Sequence, residues 1–231
     1  MSAIPVEISV IIPVHNGEKY LAQCIQSVLE QNHAALEMLV VDNASTDATA
    51  AIARKFPATR YFYLPRKGFV PALNHGVMNC QGSFLSFLDA DDLWQPHKLA
   101  AQLDVFQRNP AVDFVFGHVE QFISPELEEP ARSQLFIREK ELPGHIRGAM
   151  LIRKESFWRV GLFDEATEYG DFIDWYMRAQ EQGLQEVMLP DVLLLRRIHG
   201  ANMGYLDPDR RIDYVRVLKR GLDRRRRLGK A

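Results

Sequence analysis

The chain has 231 residues, 47% of them apolar, and a formal net charge of −2, so it can bury a sizeable core and is not a nucleic-acid binder by overall charge. No apolar run approaches the roughly 18 residues of a membrane span, and we expect no signal peptide because residues 1–7 lack a basic and an apolar region. The two cysteines, Cys24 and Cys80, form neither a metal-binding spacing nor a disulfide framework, which favours a reducing cytoplasm.

The first hundred residues alternate between apolar strands and amphipathic helices. Continuous apolar runs are typical of strands buried on both faces, and apolar residues at helical spacing follow them. The predicted strands are Ile8–Val14, Leu36–Val41, Tyr61–Leu64 and Ser83–Leu88. The predicted helices are Tyr20–Leu29, Ala48–Phe56, Ala72–Met78 and Pro96–Arg108. This alternation predicts an α/β domain with a parallel sheet.

Three carboxylates, Asp89, Asp91 and Asp92, directly follow the fourth predicted strand. The carboxyl ends of parallel strands form the binding crevice of an open sheet, and three acids on one loop repel one another unless a cation joins them. Carboxylate oxygens suit Mg²⁺ or Mn²⁺, which usually keep waters and share a substrate phosphate. The pattern therefore indicates a metal-bound, phosphate-bearing substrate. The alternative is a solvated acidic turn ahead of the helix that begins at Pro96.

The second half is less regular. The segment from Glu120 to Pro143 is rich in acids and prolines and has few periodic apolar positions, which predicts a long, mobile loop. Elsewhere we predict strands at Phe114–His118, Met150–Ile152, Glu186–Leu189 and Val192–Arg197, and helices at Lys154–Val160, Phe172–Gln182 and Arg210–Arg227. The predicted organisation is one domain over residues 1–206, with halves 1–110 and 111–206, and a basic helical tail over residues 207–231.

Six short segments form an ordered set of motifs along the chain. They are, in chain order, Ile11–Glu18, Val40–Asp47, Leu88–Asp92, Gly161–Glu165, Asp171–Trp175 and His199–Asn202. As an ordered set, covering about residues 8–202, they resemble the family 2 inverting glycosyltransferases of the GT-A fold. The resemblance implies a Rossmann-like, mostly parallel central sheet flanked by helices, in a single domain with two abutting halves. It also implies transfer of a sugar from a nucleoside-diphosphate sugar to an acceptor hydroxyl.

The resemblance further implies where each ligand binds. The nucleotide-sugar site would include Pro13, His15, Asn16, Glu18, Asp42, Asn43, Asn74 and Asp89. Asp91 would coordinate the Mg²⁺ or Mn²⁺ that bridges the two phosphates, and His199 would complete the metal site or touch the diphosphate. Ser45, Thr46 and Asp47 are predicted to be helix caps rather than ligands.

Two positions depart from the family pattern. Members often have two acids after the second strand, but Asn43 stands second here. An amide both donates and accepts hydrogen bonds, so the preference among nucleotide bases is left open. The usual Glu-Asp-x-Asp is replaced by Asp171, Phe172, Ile173 and Asp174. An inverting transferase needs a carboxylate to take the acceptor's proton. Asp171 is the predicted base and Asp174 the alternative, and both acids also suit the first turn of a helix.

The basic tail, and the two positions that depart from the family pattern, leave further interpretations open. Four consecutive arginines, Arg224 to Arg227, predict either a solvated helix end or attraction to an anionic membrane, worth roughly 1 kcal/mol per basic residue. We expect a cytoplasmic enzyme, with peripheral contact at the inner face of the membrane, that uses a glycan, lipid-linked or small-molecule acceptor and no nucleic acid. Two other classes stay open: a non-catalytic nucleotide- or sugar-binding module, because of Asn43 and Phe172, and a phosphatase with Asp89 as its nucleophile.

Overall fold

The structure is a computed structural model that describes residues 7–31, 36–129, 139–167, 169–200 and 211–227, together with the single residues 132, 135, 137 and 202. Its centre is one nine-stranded sheet. The strands are β1 Ile8–Val14, β2 Leu36–Asn43, β3 Thr59–Leu64, β4 Phe84–Phe87, β5 Leu93–Trp94, β6 Phe114–Ile123, β7 Glu141–Pro143, β8 Leu151–Arg153 and β9 Glu186–Ile198. The helices are α1 Leu21–Leu29, α2 Thr49–Ala53, α3 Phe69–Asn79, α4 Lys98–Arg108, α5 Lys154–Val160, α6 Asp171–Glu181 and α7 Arg211–Arg227.

The sheet order is β3-β2-β1-β4-β8-β6-β9-β5, with β7 paired to β6. The first four strands of this order are parallel, as predicted, and β1 is buried along its whole length. In the second half only β6 and β9 pair in parallel, whereas β8 runs antiparallel to both β4 and β6. The parallel arrangement brings the carboxyl ends of β1, β2 and β4 to one edge, where most of the predicted nucleotide and metal residues lie. Of the others, Asn74 is on α3 and His199 follows β9.

Buried polar side chains of α4 join the two halves of the domain, and we call this contact region the seam. Lys98 Nζ lies 3.1 Å from Ser86 Oγ on β4 and 2.8 Å from Gln102 Oε1. The amide nitrogen of Gln102 donates at 2.8 Å to the carbonyls of both Val115 and Ala149. Burial lowers the pKa of Lys98 well below its ordinary value, because all these partners are neutral. The network ties α4 to strands from both halves of one sheet.

The segment predicted as a mobile loop is shorter than expected. Its first four residues continue β6, and Glu141–Pro143 forms β7 against that strand. Ser124 and Tyr20 both donate to Glu126, at 2.8 Å and 2.6 Å, so the segment after β6 is anchored to the start of α1. Partial burial raises the pKa of Glu126, but these hydrogen bonds outweigh it and lower the value to about 2. Residues 130, 131, 133, 134, 136 and 138 lie outside the described residues.

The two strands predicted at the end of the second half are one strand, β9. Its pairing with β6 shifts register between Phe116 and His118, which pair with Met188 and Val192 respectively. The three residues between these partners include Pro190, which has no N–H to donate to a ladder. The irregularity therefore accommodates the proline without ending the strand.

The basic tail helix is not simply solvated, because its inner face packs on α6. Arg220 pairs with Asp164 at 3.0 Å, and Arg224 pairs with Asp174 at 2.8 Å and with Glu181 at 3.1 Å. A Cβ built on Gly221 would lie 1.8 Å from the Met177 Cε atom, so the two helices approach closely at this glycine. No described helix is long and apolar enough to cross a membrane.

Candidate active site

The loops after β1 and β2 are joined by hydrogen bonds. His15 Nδ1 lies 2.7 Å from the carbonyl oxygen of Asn43, and Asn16 Oδ1 accepts the backbone N–H of Thr46 at 2.9 Å. Glu18 accepts the N–H of Ala48 at 3.1 Å, while Asp47 accepts the N–H of Glu18 at 3.0 Å. His15, Asn16 and Glu18 remain exposed in this arrangement. The structure therefore brings the predicted donor-binding residues of both loops to one surface.

Asp42 and Asn43 shape the edge of β2 by binding backbone and side-chain donors. Asp42 accepts the N–H of Ser45 at 2.8 Å and the hydroxyl of Tyr61 at 2.6 Å. Burial and the Asp42 carboxylate raise the pKa of Tyr61 above its ordinary value. Asn43 Oδ1 accepts the N–H of Gly68 at 2.7 Å. A neutral amide oxygen can accept this hydrogen bond, so the contact does not require the carboxylate of an aspartate.

The predicted caps have different partners. Asp47 accepts the backbone N–H of Thr49, the first residue of α2, at 3.0 Å, although Ala48 and not Asp47 occupies the N-cap position. The Ser45 hydroxyl instead accepts the N–H of Asn16 at 2.8 Å, and the Thr46 N–H donates to the same residue. Ser45 and Thr46 therefore hold the first loop to the second.

The three acids after β4 have different environments. Asp92 is buried and accepts the N–H of Arg197 at 2.8 Å, so it joins the acidic loop to β9. Burial, and then the charges of Asp91 and Asp89, raise the pKa of Asp92 well above its ordinary value. The side chains of Asp89 and Asp91 are 38% and 31% exposed. Only these two acids of the loop are therefore open to a ligand.

Asp91 meets the residues that follow β9. His199 Nε2 lies 2.9 Å from Asp91 Oδ2, and Asn202 Nδ2 donates to the same oxygen at 3.3 Å. Asn202 also donates to the carbonyl of Arg197 at 3.0 Å. The guanidinium of Arg197 donates in turn to the carbonyl of Asp91 at 2.8 Å. The structure thus brings together Asp91 and His199, the two residues predicted to hold a metal.

These two residues suit a metal that takes its other ligands from substrate and water. A carboxylate and an imidazole fit Mn²⁺, and a carboxylate with a diphosphate fits Mg²⁺. Among the described residues, no group of three or more histidine, cysteine or acidic side chains is arranged to hold a metal ion by itself. Asp91 and His199 could supply two protein ligands, so a metal held here would take its remaining ligands from other oxygen donors.

Arg147 connects Asp89 to the predicted base. Its Nη1 donates to Asp171 Oδ2 at 2.7 Å, and its Nε lies 3.4 Å from Asp89 Oδ1. Burial lowers the pKa of Arg147, but the two carboxylates outweigh this effect and raise it. The sequence did not identify Arg147 as a site residue. It is a single arginine in an irregular segment, and its partners lie far along the chain: Asp89 is 58 positions before it and Asp171 is 24 positions after it.

The two acids of α6 are held differently. Both oxygens of Asp174 are occupied, Oδ2 by Arg178 at 2.9 Å and Oδ1 by Arg224 at 2.8 Å. Asp171 bonds Arg147 through Oδ2 alone, and no hydrogen bond from a described residue reaches its Oδ1. Asp171 is thus the acid that Arg147 joins to the acidic loop of Asp89, Asp91 and Asp92, and its Oδ1 receives no hydrogen bond from a described residue.

Phe172 and Asn74 have structural environments. Phe172 is buried and stacks on Trp175 with 6.1 Å between ring centroids, which explains the apolar residue at a position that is usually acidic. Asn74 is also buried. Its amide nitrogen donates to Phe163 and Glu165, and its oxygen accepts the N–H of Phe163 at 3.1 Å. These contacts join α3 to the loop before α6. The role of Asn74 in the nucleotide-sugar site therefore stays a prediction. Pro13 lies near the end of β1, opposite Val41.

Solved structures share this fold. The crystal structure of Staphylococcus aureus TarS residues 1–349 in complex with UDP-GlcNAc has a TM-score of 0.73 at 19% identity, over 93% of this chain and 65% of that one. Its complex with UDP has a TM-score of 0.68 at 19% identity, over 92% and 63% of the two chains. The sheet and its flanking helices are those of the GT-A glycosyltransferases, as the sequence predicted.

A family model described as glycosyl transferase family 2 matches residues 9–161, and the chain belongs to that family. An uncharacterized glycosyltransferase of Rickettsia typhi is 30% identical over 214 residues, which are 84% of this chain and 64% of the relative. Escherichia coli WfgD, named a UDP-Glc:alpha-D-GlcNAc-diphosphoundecaprenol beta-1,3-glucosyltransferase, is 34% identical over 116 residues, 49% of this chain and 46% of the relative. The chain spans less than two thirds of the length of either relative.

Proposed function

We propose that this domain transfers a sugar from a nucleoside-diphosphate sugar to an acceptor hydroxyl with inversion at the anomeric carbon. One observation carries the proposal: Arg147 joins Asp171 to Asp89 of the acidic loop, and no hydrogen bond from a described residue reaches Asp171 Oδ1. An acid that can take a proton then lies beside the loop that would hold the donor's diphosphate.

We propose a uridine nucleotide as the donor's carrier. The names of WfgD and of the TarS complexes contain UDP-Glc, UDP and UDP-GlcNAc, and these proteins share the family or the fold. In this chain the exposed His15, Asn16 and Glu18, with Asp42 and Asn43 beside them, would bind the nucleotide. The bond to Gly68 uses only the amide oxygen of Asn43. Its NH₂ group remains a hydrogen-bond donor that suits the carbonyl oxygens of uracil.

The chain's own groups account for the reaction. Asp171 Oδ1 takes the proton of the acceptor hydroxyl as that oxygen attacks the anomeric carbon, and the bond from this carbon to the diphosphate oxygen breaks with both electrons leaving on the diphosphate. Attack opposite the leaving group gives the inverted configuration. Asp91 and His199 would hold Mg²⁺ or Mn²⁺, which when bound offsets the charge that develops on the diphosphate.

The test separates donor binding from transfer. We expect UDP with Mn²⁺ to raise the melting temperature, since a ligand at a hundred times its Kd stabilises by about 2.7 kcal/mol. Asp91→Ala or EDTA should abolish this increment, whereas the matched control Asp104→Ala, an exposed acid on α4, should preserve it. An increment that survives both Asp91→Ala and EDTA contradicts the metal site.

A panel of UDP-sugars with glycan and lipid-linked acceptors then tests the transfer itself. Release of UDP that depends on an acceptor, with an inverted product anomer by NMR, is the expected result. Nucleotide binding without turnover of any sugar donor would favour the non-catalytic module. Hydrolysis of p-nitrophenyl phosphate that is lost in Asp89→Asn would favour the phosphatase class.

We also propose that the tail helix contacts an anionic membrane, where a lipid-linked acceptor would be found. The outer face of α7 is apolar at helical spacing, with exposed side chains at Tyr214, Val215, Leu218 and Leu222. Lys219 and Arg226 flank this face and are exposed, so the helix has the apolar and basic faces of an interfacial helix.

Vesicle flotation tests the membrane contact. Leu218→Ser/Leu222→Ser should weaken binding to vesicles that contain phosphatidylglycerol, because it removes apolar area that would be buried in the bilayer interface. Met78→Ser, which removes an exposed apolar side chain from α3, is the matched control and should bind as the unmodified chain does. Equal flotation of the double variant and the control would contradict the proposal.

A further inference from the structure

Arg147 occupies a rigid position between the two halves. It begins a 3-10 turn, Arg147–Ala149, in which Arg147 accepts the N–H of Met150 at 3.0 Å. The next residue, Gly148, accepts the indole N–H of Trp94 at 3.0 Å. The guanidinium carbon of Arg147 also lies 4.5 Å from the ring centroid of Phe69, at the start of α3. Its backbone and its side chain are therefore both fixed.

The side chain is placed to control two acids at once. Only 13% of it is exposed, and its two carboxylate partners come from different halves: Asp89 follows β4 and Asp171 begins α6. A guanidinium presents several N–H groups in a fixed plane, so Nε and Nη1 can bind two carboxylates at the same time. A lysine has one ammonium group and offers no such fork.

The pairing differs from the chain's structural ion pairs. Arg178 and Arg224 together bind both oxygens of Asp174, so each of its oxygens is paired with a cationic side chain. Arg147 binds one oxygen of Asp171, and Oδ1 receives no hydrogen bond from a described residue. Among the described residues, Asp171 is therefore held by one arginine through one oxygen, whereas Asp174 is held by two arginines through both.

We propose that Arg147 is a positioning residue for sugar transfer. It holds Asp171 by Oδ2 so that Oδ1 stays available to the acceptor hydroxyl, and it sets the distance between this base and the donor's loop through Asp89. The proposal rests on the proposed role of Asp171. It assigns a catalytic consequence to a residue that contacts the base rather than the reacting atoms.

Steady-state kinetics of Arg147→Met and Arg147→Lys test the proposal, with UDP-sugar and acceptor varied separately. We expect kcat to fall about 10- to 100-fold in Arg147→Met, because a base misplaced by about 1 Å loses up to a hundredfold. The KM for the donor should change by less than about threefold, and Arg147→Lys should recover part of kcat by restoring one bond. Arg153→Met is the matched control, since Arg153 binds the Val112 carbonyl at 3.0 Å and packs over Phe106, and its kcat should be unchanged at a temperature where it is folded.

A double variant distinguishes this proposal from the proposed function itself. If Arg147 acts through Asp171, then Arg147→Met/Asp171→Asn should be no slower than Asp171→Asn alone. A further multiplicative loss in the double variant overturns the positioning role. So does a loss in Arg147→Met that appears entirely as a raised donor KM, which would make Arg147 a donor ligand. Near-normal turnover in Asp171→Asn itself refutes the assignment of the base and leaves Arg147 no role through it.

Discussion

The polar residues at the end of β2 and the acids of α6 are fixed by different kinds of partners. In the first half, Asp42, Asn43 and Asp47 accept backbone N–H groups from their own or neighbouring loops. In the second half, Asp171 and Asp174 are held by arginine side chains from elsewhere in the chain or from a later turn of α6. Backbone donors follow from local turn geometry, whereas an arginine partner depends on which elements the fold packs together. The loop after β2 is thus held by its own backbone, whereas the surroundings of the two acids of α6 differ because different arginines reach them.

The largest expected effect separates the two acids of α6. Asp171→Asn keeps the shape of the side chain but removes the proton acceptor, so transfer should fall by about 10²- to 10⁴-fold while UDP still raises the melting temperature. Asp174→Asn should keep kcat at a permissive temperature and lose about 1.5–3 kcal/mol of unfolding free energy, because Arg178 and Arg224 lose a charged partner. Turnover assays and urea unfolding of both variants measure the two effects. The reverse result, with collapse of activity in Asp174→Asn and normal turnover in Asp171→Asn, would move the base to Asp174.

A smaller effect tests the close packing of α7 on α6. Gly221→Val places a side chain against Met177, where even a Cβ would lie 1.8 Å from Cε, so we expect a loss of about 1–3 kcal/mol in urea unfolding. Leu222→Val, at the exposed next position, controls for the lower helix propensity of valine and should cost less than about 1 kcal/mol. Equal losses would show that α7 is not docked on α6 as described.

The smallest effect concerns the seam between the halves, where Lys98 is buried among neutral partners. Its pKa in the folded chain is lowered, so between that value and the ordinary 10.5 the unfolded chain binds the extra proton. Unfolding free energy should therefore rise with pH in this window. The rise should flatten in Lys98→Met. The slope is measured by urea unfolding between pH 7.5 and 8.5. This range lies below 9.0, the ordinary pKa of the Cys24 and Cys80 thiols, and burial raises the pKa of both thiols further in the folded chain.

The matched control for this seam is Lys154→Met. Lys154 donates to the carbonyl of Cys80 at 2.8 Å and is only partly buried. It should keep the pH slope of the unmodified chain. The same slope in Lys98→Met as in the unmodified chain would mean that Lys98 carries its proton in the fold.

The sequence alone determined the parallel first half and the acids at its edge. Continuous apolar runs identified β1, β2 and β4, and the polar residues that end these runs had to meet at one edge because parallel strands align their carboxyl ends. It did not determine the extent of the segment after β6, since a β7 of three residues has too short a pattern to recognise. It also divided β9 at Pro190, whose missing donor is tolerated at a register shift.

Only the tertiary structure decided between the two acids of α6 and brought Arg147 to the site. Asp171 and Asp174 lie in the same first turn and have the same local propensities, so no local pattern distinguishes them. Their roles depend on arginines that reach them from the turn before β8 and from α7. Such contacts join distant parts of the chain, and they are fixed by the packing of whole elements against one sheet rather than by the spacing of residues along it.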